Sequence, residues 1–231
     1  MEYKAFLDVV DFAAEDIESA RHYMDVRGVE EHLIVAEYLQ NYKKAGKVSY
    51  REVATALRYD KRIRRILYKY IGYFEERIRA YIANRYSDKT GGLSFTDTVR
   101  KKLKKKTLYE ALSEISFGQL ILQSKHLPEE EKKELFSADS INHKHLDAII
   151  ELRNEVSHNR FLLHRKFRPC KNTGYEEHSL RANIINLYNH LPEEIRDSFA
   201  RELNASSEFS ENKWQYQTEW NLIEQIIIKI D

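Results

Sequence analysis

The chain is poor in the residues that make tight turns and covalent cross-links. Its 231 residues include 7 glycines, 3 prolines and 1 cysteine, which is Cys170. Strand-rich folds need turn residues at many hairpins, so this scarcity favours helices joined by few tight turns. A lone cysteine excludes a disulfide within one chain and a metal site built from cysteines. The composition therefore predicts an all-α fold.

Long apolar runs and a strong excess of one charge are also missing. No run is long enough to span a bilayer, and the sequence does not begin like a secretory signal, so we expect a cytoplasmic protein that makes no use of a membrane. The chain has 38 basic and 37 acidic residues, for a net charge of +1. Such a balance neither favours nor excludes nucleic acid, so only the distribution of charge can point to a partner.

Apolar residues recur at helical spacing along most of the chain. Ser49-x-x-Glu52 is a capping box that predicts a short helix to about Arg58, and Asp60 is placed to cap a long helix to about Arg85. The apolar face of the long helix consists of Ile63, Leu67, Tyr70, Phe74, Ile78 and Tyr81. Five cations lie off that face: Arg62, Arg64, Arg65, Lys69 and Arg79. A solvated surface is their simplest role, and contact with RNA phosphates is the alternative.

Two later helices complete the predicted organisation. One covers about residues 141–159. The other covers about residues 218–230 and carries Trp220, Ile223, Ile226, Ile227 and Ile230 on one face. That face is typical of a core or lid element, and a dimer contact is the alternative. Since no internal repeat divides the sequence, we predict a single all-α domain over residues 1–231.

The most informative stretch is residues 152–160, late in the helix predicted at 141–159. At 100° per residue, one broad apolar stripe is formed by Leu146, Ile149, Ile150, Leu152 and Val156. Arg153 falls inside this stripe. A guanidinium on a core-facing surface is costly unless it is paired or opens onto a cleft. Its position therefore needs a partner or a ligand.

Arg153, Asn154 and His158 form a candidate catalytic group for RNA cleavage without a metal ion. An imidazole titrates near neutral pH and can move the proton of a ribose 2′-hydroxyl or of the leaving oxygen. A guanidinium can stabilise the charge that builds on the phosphate. Asn154 can orient the imidazole or contact phosphate. The alternative is a structural arginine beside a surface histidine, because Arg153 and His158 lie about 140° apart on an ideal helix.

The only strongly basic segment of the sequence lies at residues 100–106. It contains Arg100, Lys101, Lys102, Lys104, Lys105 and Lys106. A like-charge run is often a flexible, solvated segment. If the protein binds RNA, these side chains are the first candidates for contacts to the backbone, which would be sensitive to salt and insensitive to sequence. We predict no metal site, because His143 and His145 point in different directions from a helix and no carboxylate lies at ligand spacing.

The Arg153-Asn154-x-x-x-His158 spacing resembles the R-N-x-x-x-H motif of HEPN ribonucleases. The continuation His158-Asn159-Arg160 is similar to the "LRN…AHHxR" signature of the Abi-like proteins, the AbiD/AbiF-type group of phage abortive-infection proteins. That group often has a second histidine where this chain has Asn159, so only one histidine is available here.

Two other stretches are similar to segments of the same group. Residues 114–120 resemble its E-x-x-SFG-x-L segment, and residues 59–67 resemble its Y-x-F-D-x-x-LR-x-LL helix start. The three segments occur in the family's order within about residues 49–165. The resemblance implies a HEPN-type helical bundle over that span, with additional N-terminal helices.

For function, the resemblance implies a metal-independent endoribonuclease with no cofactor, which acts in bacterial anti-phage or toxin–antitoxin defence. Arg153, Asn154 and His158 would be catalytic at a composite site between the two protomers of a homodimer. RNA would be the substrate, contacted also by Asn159 and Arg160, and a regulatory RNA or an antitoxin is an expected partner. The alternative is a non-catalytic HEPN-like module that binds RNA or another protein.

Overall fold

The computed structural model describes residues 2–44, 46–87, 92–137, 142–207 and 226–230. This part of the chain is mostly helical, which confirms the all-α prediction. None of the helices in these ranges is both long and apolar enough to cross a membrane. A HEPN-type bundle within this helical fold remains a prediction.

The chain divides into two compact units. That these units form a single domain stays a prediction. Unit 1 comprises Met1–Arg65, Asn159–Arg165 and Leu203–Asp231, and unit 2 comprises Ile66–His158 and Lys166–Glu202. The boundary between the units therefore falls inside the predicted functional segment, between His158 and Asn159.

The N-terminal part of unit 1 consists of helices and one short parallel strand pair. Its elements are α1 (Glu2–Val9), β1 (Val10–Asp11), a 3-10 turn (Ala14–Asp16), α2 (Ile17–Arg27), α3 (Val29–Lys43) and β2 (Val48–Ser49). Val10 lies opposite Val48 in the strand pair. Gly28 separates α2 from α3 with a φ of +84°, a conformation that few residues besides glycine adopt.

Helix α4 extends without interruption over Tyr50–Arg85. The prediction of a short helix followed by a second one capped by Asp60 is therefore wrong, because no glycine or proline breaks the chain there. The capping box is confirmed: the backbone N–H of Ser49 donates to Glu52 Oε2 (3.0 Å), and that of Glu52 to Ser49 Oγ (3.3 Å). The predicted apolar face is buried except for the half-buried Tyr81.

The C-terminal residues 227–230 are packed in unit 1 without helical structure, after a 3-10 residue at Ile226. Ile226, Ile228 and Ile230 are buried in alternation, the period of a strand and not of a helix. The backbone N–H of Ile228 donates to Tyr59 Oη at 2.7 Å. The helix predicted at 218–230 is therefore wrong for 227–230, and residues 218–225 lie outside the described residues.

Unit 2 is built from short helices around the second part of α4. They are α5 (Asp97–Leu103), α6 (Leu108–Ser113), α7 (Phe117–Ser124), α8 (Glu129–Phe136), α9 (His143–Ser157), α10 (Leu180–His190) and α11 (Glu193–Ala205). Thr107 caps α6 in a capping box with Glu110, and the Ser116 hydroxyl caps α7. Such caps satisfy backbone N–H groups that have no partner inside their own helix.

Candidate functional site

Helix α9 carries the candidate catalytic group. It begins at His143 after an N-cap by Asn142, whose side chain accepts from the N–H of Lys144 at 3.0 Å. The predicted bounds of 141–159 were close, and residue 141 lies outside the described part of the chain. The predicted apolar stripe is buried apart from the half-buried Ile150. The sequence pattern therefore located both the helix and its inward face.

Three contacts within unit 2 fix α9 in place. Lys125 Nζ of α7 lies 2.8 Å from Asp147 Oδ1, and Asn186 Nδ2 of α10 donates to the carbonyl oxygen of His145 at 2.9 Å. Near the other end, the N–H of Arg168 donates to Glu151 Oε2 at 2.8 Å. These contacts hold α9 along its length and so fix the position of its last turn.

His158 is the C-cap of α9, directly after its last helical residue. Its backbone N–H donates to the carbonyl oxygen of Asn154 at 3.0 Å. The next residue, Asn159, has a φ of +54°, in the left-handed region that asparagine tolerates better than most residues. The chain therefore leaves the helix immediately after His158.

The side chains of Arg153, Asn154 and His158 make no hydrogen bond or ion pair with any described residue. Asn154 and His158 are exposed, and Arg153 is half-buried. A half-buried guanidinium without a counter-charge is suited to an external anion. The three side chains share one helix end but make no hydrogen bond with one another, so a single chain does not join them into one hydrogen-bonded group.

Asn159 and Arg160, which we expected to contact RNA, belong to unit 1. Asn159 Oδ1 accepts from Arg64 Nη1 at 3.5 Å, the outer limit of a hydrogen bond. Arg64 is itself paired with Asp60, so Asn159 stands at the edge of a buried ion pair. Arg160 is exposed.

The basic segment at residues 100–106 spans the end of α5 and the turn after it, and it is partly neutralised. Lys102 and Lys106 both pair with Glu114, and Arg100 lies near Asp97. The exposed Lys101, Lys104 and Lys105 have no partner among the described residues. Of the predicted RNA contacts in this segment, these three lysines are the most available.

The cations predicted to lie off the apolar face of α4 have different environments. Arg64 is buried beside Asp60, Lys69 pairs with Glu202, and Arg79 pairs with Glu75. Arg62 and Arg65 line a cavity in unit 1 that sequence reasoning missed. The cations from Arg58 to Arg65 recur at helical spacing in the sequence. This pattern alone does not indicate a cavity, because the rest of the lining comes from α2 and α3.

Two other classes of site have little support in the described residues. Burial raises the pKa of the Cys170 thiol to about 12, so it is not a thiolate nucleophile at neutral pH. Within the described ranges, no three side chains of His, Cys, Asp or Glu are grouped so that they could hold a metal ion.

Comparisons with known protein families, with curated proteins and with solved structures find no match to this chain.

Proposed function

We propose that this protein is an endoribonuclease of the HEPN type that cleaves RNA by acid–base chemistry at Arg153 and His158 without using a metal ion. The observation that carries the proposal is the state of these two side chains. Arg153 is half-buried with no partner among the described residues, and His158 is exposed at the end of the same anchored helix. The structural alternative predicts an arginine paired with a neighbouring helix, and Arg153 has no such partner among the described residues.

The chemistry follows from the two groups. A base removes the proton of a ribose 2′-hydroxyl, the 2′-oxygen attacks the adjacent phosphorus, and the 5′-oxygen leaves with a proton from an acid. The products are a 2′,3′-cyclic phosphate and a 5′-hydroxyl. His158 serves in proton transfer, and Arg153 stabilises the charge on the phosphate. Asn154, one turn before His158, orients the imidazole or the RNA backbone.

A homodimer gives this chemistry what one chain lacks. Proton removal and proton delivery call for two groups, and each chain offers one histidine in the motif. Arg153 and His158 also diverge by about 140° around the helix. Two copies of α9 meeting at a two-fold axis would place the arginine of one protomer beside the histidine of its partner. The composite site is thus part of the proposal.

The biological setting rests on the resemblance to the Abi-like group. We propose that the protein acts in the cytoplasm in anti-phage or toxin–antitoxin defence and is controlled by a regulatory RNA or an antitoxin. Lys101, Lys104 and Lys105 supply exposed positive charge for the RNA backbone. Such contacts set affinity and leave sequence preference to other parts of the protein.

The test is cleavage of labelled single-stranded RNA and transfer RNA in EDTA. Wild type is compared with Arg153→Ala and His158→Ala. His143→Ala and Lys144→Ala are matched controls, since both side chains are exposed in the first turn of the same helix. The proposal expects loss of cutting in the first two variants only, with the helical circular dichroism spectrum retained by all.

Other outcomes argue against it. Cutting that persists in both Arg153→Ala and His158→Ala places the activity at another site or in a contaminant. Salt-sensitive RNA binding without cutting by any form, at all protein concentrations that support a dimer, favours the non-catalytic RNA-binding module instead.

A further inference from the structure

Unit 1 contains a half-open cavity of about 440 Å³ that is lined by residues of α2, α3 and α4. Its volume lies in the range of about 300–1,000 Å³ that is typical of sites for small organic ligands. The lining residues are Tyr23, Arg27, His32, Tyr50, Ala54, Leu57, Arg58, Lys61, Arg62 and Arg65. All of them belong to unit 1, so the cavity is separate from the catalytic group proposed on α9.

The cavity has an apolar part and a cationic part. The residues from α4 follow helical spacing along one face, and their character changes along the helix from Tyr50, Ala54 and Leu57 to the cations at 58, 61, 62 and 65. Arg27, at the end of α2, adds a fifth positive charge. None of the side chains that line the cavity is acidic. A ligand that matches this lining has a flat or apolar portion and several negative charges.

The five positive charges line the same cavity and differ in their contacts. Arg58 lies 5.8 Å from the centre of the Tyr23 ring, and Arg62 Nη1 donates to the carbonyl oxygen of Ser206 at 2.9 Å. The pKa of Arg62 is lowered, first by burial and then by the charge of Arg58. The remaining cations, Arg27, Lys61 and Arg65, make no hydrogen bond or ion pair with any described residue. Repulsion among like charges that line one cavity is relieved by a bound anion.

Tyr50 forms a rigid part of the apolar wall. Only 4% of this residue is exposed, and its buried hydroxyl has no hydrogen-bond partner among the described residues. The ring is fixed between two aromatic neighbours, Phe12 and His32, with centroid distances of 5.4 and 6.1 Å. The ring is therefore a rigid part of the cavity wall, and its hydroxyl is closed off from solvent.

We infer that this cavity binds a nucleoside carrying a 5′-polyphosphate, as a free nucleotide or as the 5′-triphosphate end of an RNA. The phosphates lie among Arg27, Lys61 and Arg65, where guanidinium and ammonium groups donate charge-assisted hydrogen bonds. The base and ribose lie against Ala54, Leu57 and the edge of the Tyr50 ring. His32 contributes an uncharged imidazole to the lining, because burial lowers its pKa. Its Nδ1 is already paired with the carbonyl oxygen of Gly28 at 2.9 Å.

Binding is measured by calorimetry on the full chain, with ATP and GTP as free nucleotides and with a short RNA bearing either a 5′-triphosphate or a 5′-hydroxyl. Inorganic tripolyphosphate reports on the phosphates alone. We expect saturable binding of the 5′-polyphosphorylated forms, weaker binding of tripolyphosphate and no site-specific binding of the 5′-hydroxyl RNA. Preference for nucleotide over triphosphate RNA, or the reverse, identifies the source of the ligand.

Three variants locate the site. Lys61→Ala/Arg65→Ala removes two exposed cations and is expected to weaken binding by about tenfold or more. Lys4→Ala/Arg21→Ala removes the same charge from exposed positions of unit 1 outside the cavity and should leave the affinity within about twofold, since it removes no hydrogen bond to the ligand. Tyr50→Phe removes a hydroxyl that is closed off from solvent and has no partner, so it should leave the affinity within about twofold and serves as a second control. Absence of saturable binding, equal losses in both double variants, or equal affinity for tripolyphosphate and nucleotide would each overturn the inference.

Discussion

Asp60 and Arg64 lie one turn apart on α4 and form an ion pair, with 2.7 Å between Asp60 Oδ2 and Arg64 Nε. Asp60 is fully buried and Arg64 is 8% exposed. The other carboxylate oxygen, Asp60 Oδ1, accepts from the backbone N–H of Leu162 at 2.6 Å. This carboxylate thus ties α4 to the segment that follows the candidate catalytic motif, all within unit 1.

Removing one member of this pair is expected to be strongly destabilising. Arg64→Ala leaves a buried carboxylate without its counter-charge, and such losses cost about 3–5 kcal/mol. Burial raises the pKa of Asp60 and the charge of Arg64 opposes that rise, so the variant has a still higher pKa. A raised carboxyl pKa gives stability that is present at low pH and is lost as the pH rises.

Urea unfolding at pH 5 and pH 8 measures this effect. The destabilisation of Arg64→Ala relative to wild type should be smaller at pH 5 than at pH 8. Arg65→Ala, which removes an exposed neighbour on the same helix, serves as the control and should change stability little at either pH. An Arg64→Ala variant as stable as wild type would show that the pair contributes nothing.

His190 makes unit 2 sensitive to acid. Burial lowers the pKa of this imidazole from 6.5 to about 4, and its Nδ1 is paired with the carbonyl oxygen of Asn186 at 2.8 Å. The unfolded chain takes up a proton below about pH 6.5 and the folded chain only near pH 4. Stability that is full above pH 6.5 is therefore lost as the pH falls through this window, by about 3 kcal/mol for this group.

The contribution of His190 can be separated from other groups by substitution. The ring of His145 lies 6.3 Å from that of His190, and burial lowers its pKa as well, while Arg196 adds a nearby positive charge. His190→Leu should lose less stability than wild type between pH 7 and pH 4.5, as measured by urea unfolding. His143→Leu, an exposed control, should follow the wild-type curve. Parallel curves for His190→Leu and wild type would contradict the assignment.

Substitutions in the basic segment are expected to weaken RNA binding, and a substitution at the carboxylate that neutralises it is expected to strengthen RNA binding. Lys101→Ala/Lys104→Ala/Lys105→Ala removes exposed cations and should weaken RNA binding. Each lost phosphate contact should lower the slope of log affinity against log salt by about 0.7 for a single strand. Glu114→Gln frees Lys102 and Lys106 from their shared carboxylate and should strengthen binding.

Fluorescence anisotropy with a labelled single-stranded RNA at four salt concentrations distinguishes these effects. Lys4→Ala/Arg21→Ala is a suitable control for a general change of charge. Salt slopes that are the same in wild type, the triple variant and Glu114→Gln would show that RNA does not contact this segment.

Local patterns in the sequence were sufficient for much of the fold. The capping box at Ser49 and the buried stripe of α9 both depend on residues within one or two turns, and both were predicted correctly. Asp60 was misread because an aspartate that caps a helix and one that is buried inside it look alike locally. What distinguishes them is the N–H of Leu162, about one hundred positions further along the chain.

Other features depend on contacts that no local pattern reveals. The spacing of isoleucines at 226–230 suits a helix or a strand, and packing against Tyr59 selects the non-helical form. The candidate catalytic residues could be named from their spacing, but the lack of a partner for Arg153 could be seen only with its neighbours in place. The cavity in unit 1 was missed because its lining combines α2, α3 and α4, and each contributes only part of the pattern.

The central claim, attack by the 2′-hydroxyl assisted by His158, is tested most directly by comparing an RNA strand with the same strand made of DNA, both in EDTA. We predict that wild type cuts the RNA to a 2′,3′-cyclic phosphate and leaves the 2′-deoxy strand intact. His158→Ala should be slower by about a hundredfold or more, the usual contribution of a general acid or base. Cutting of the deoxy strand by wild type, or undiminished RNA cutting by His158→Ala, would contradict the mechanism.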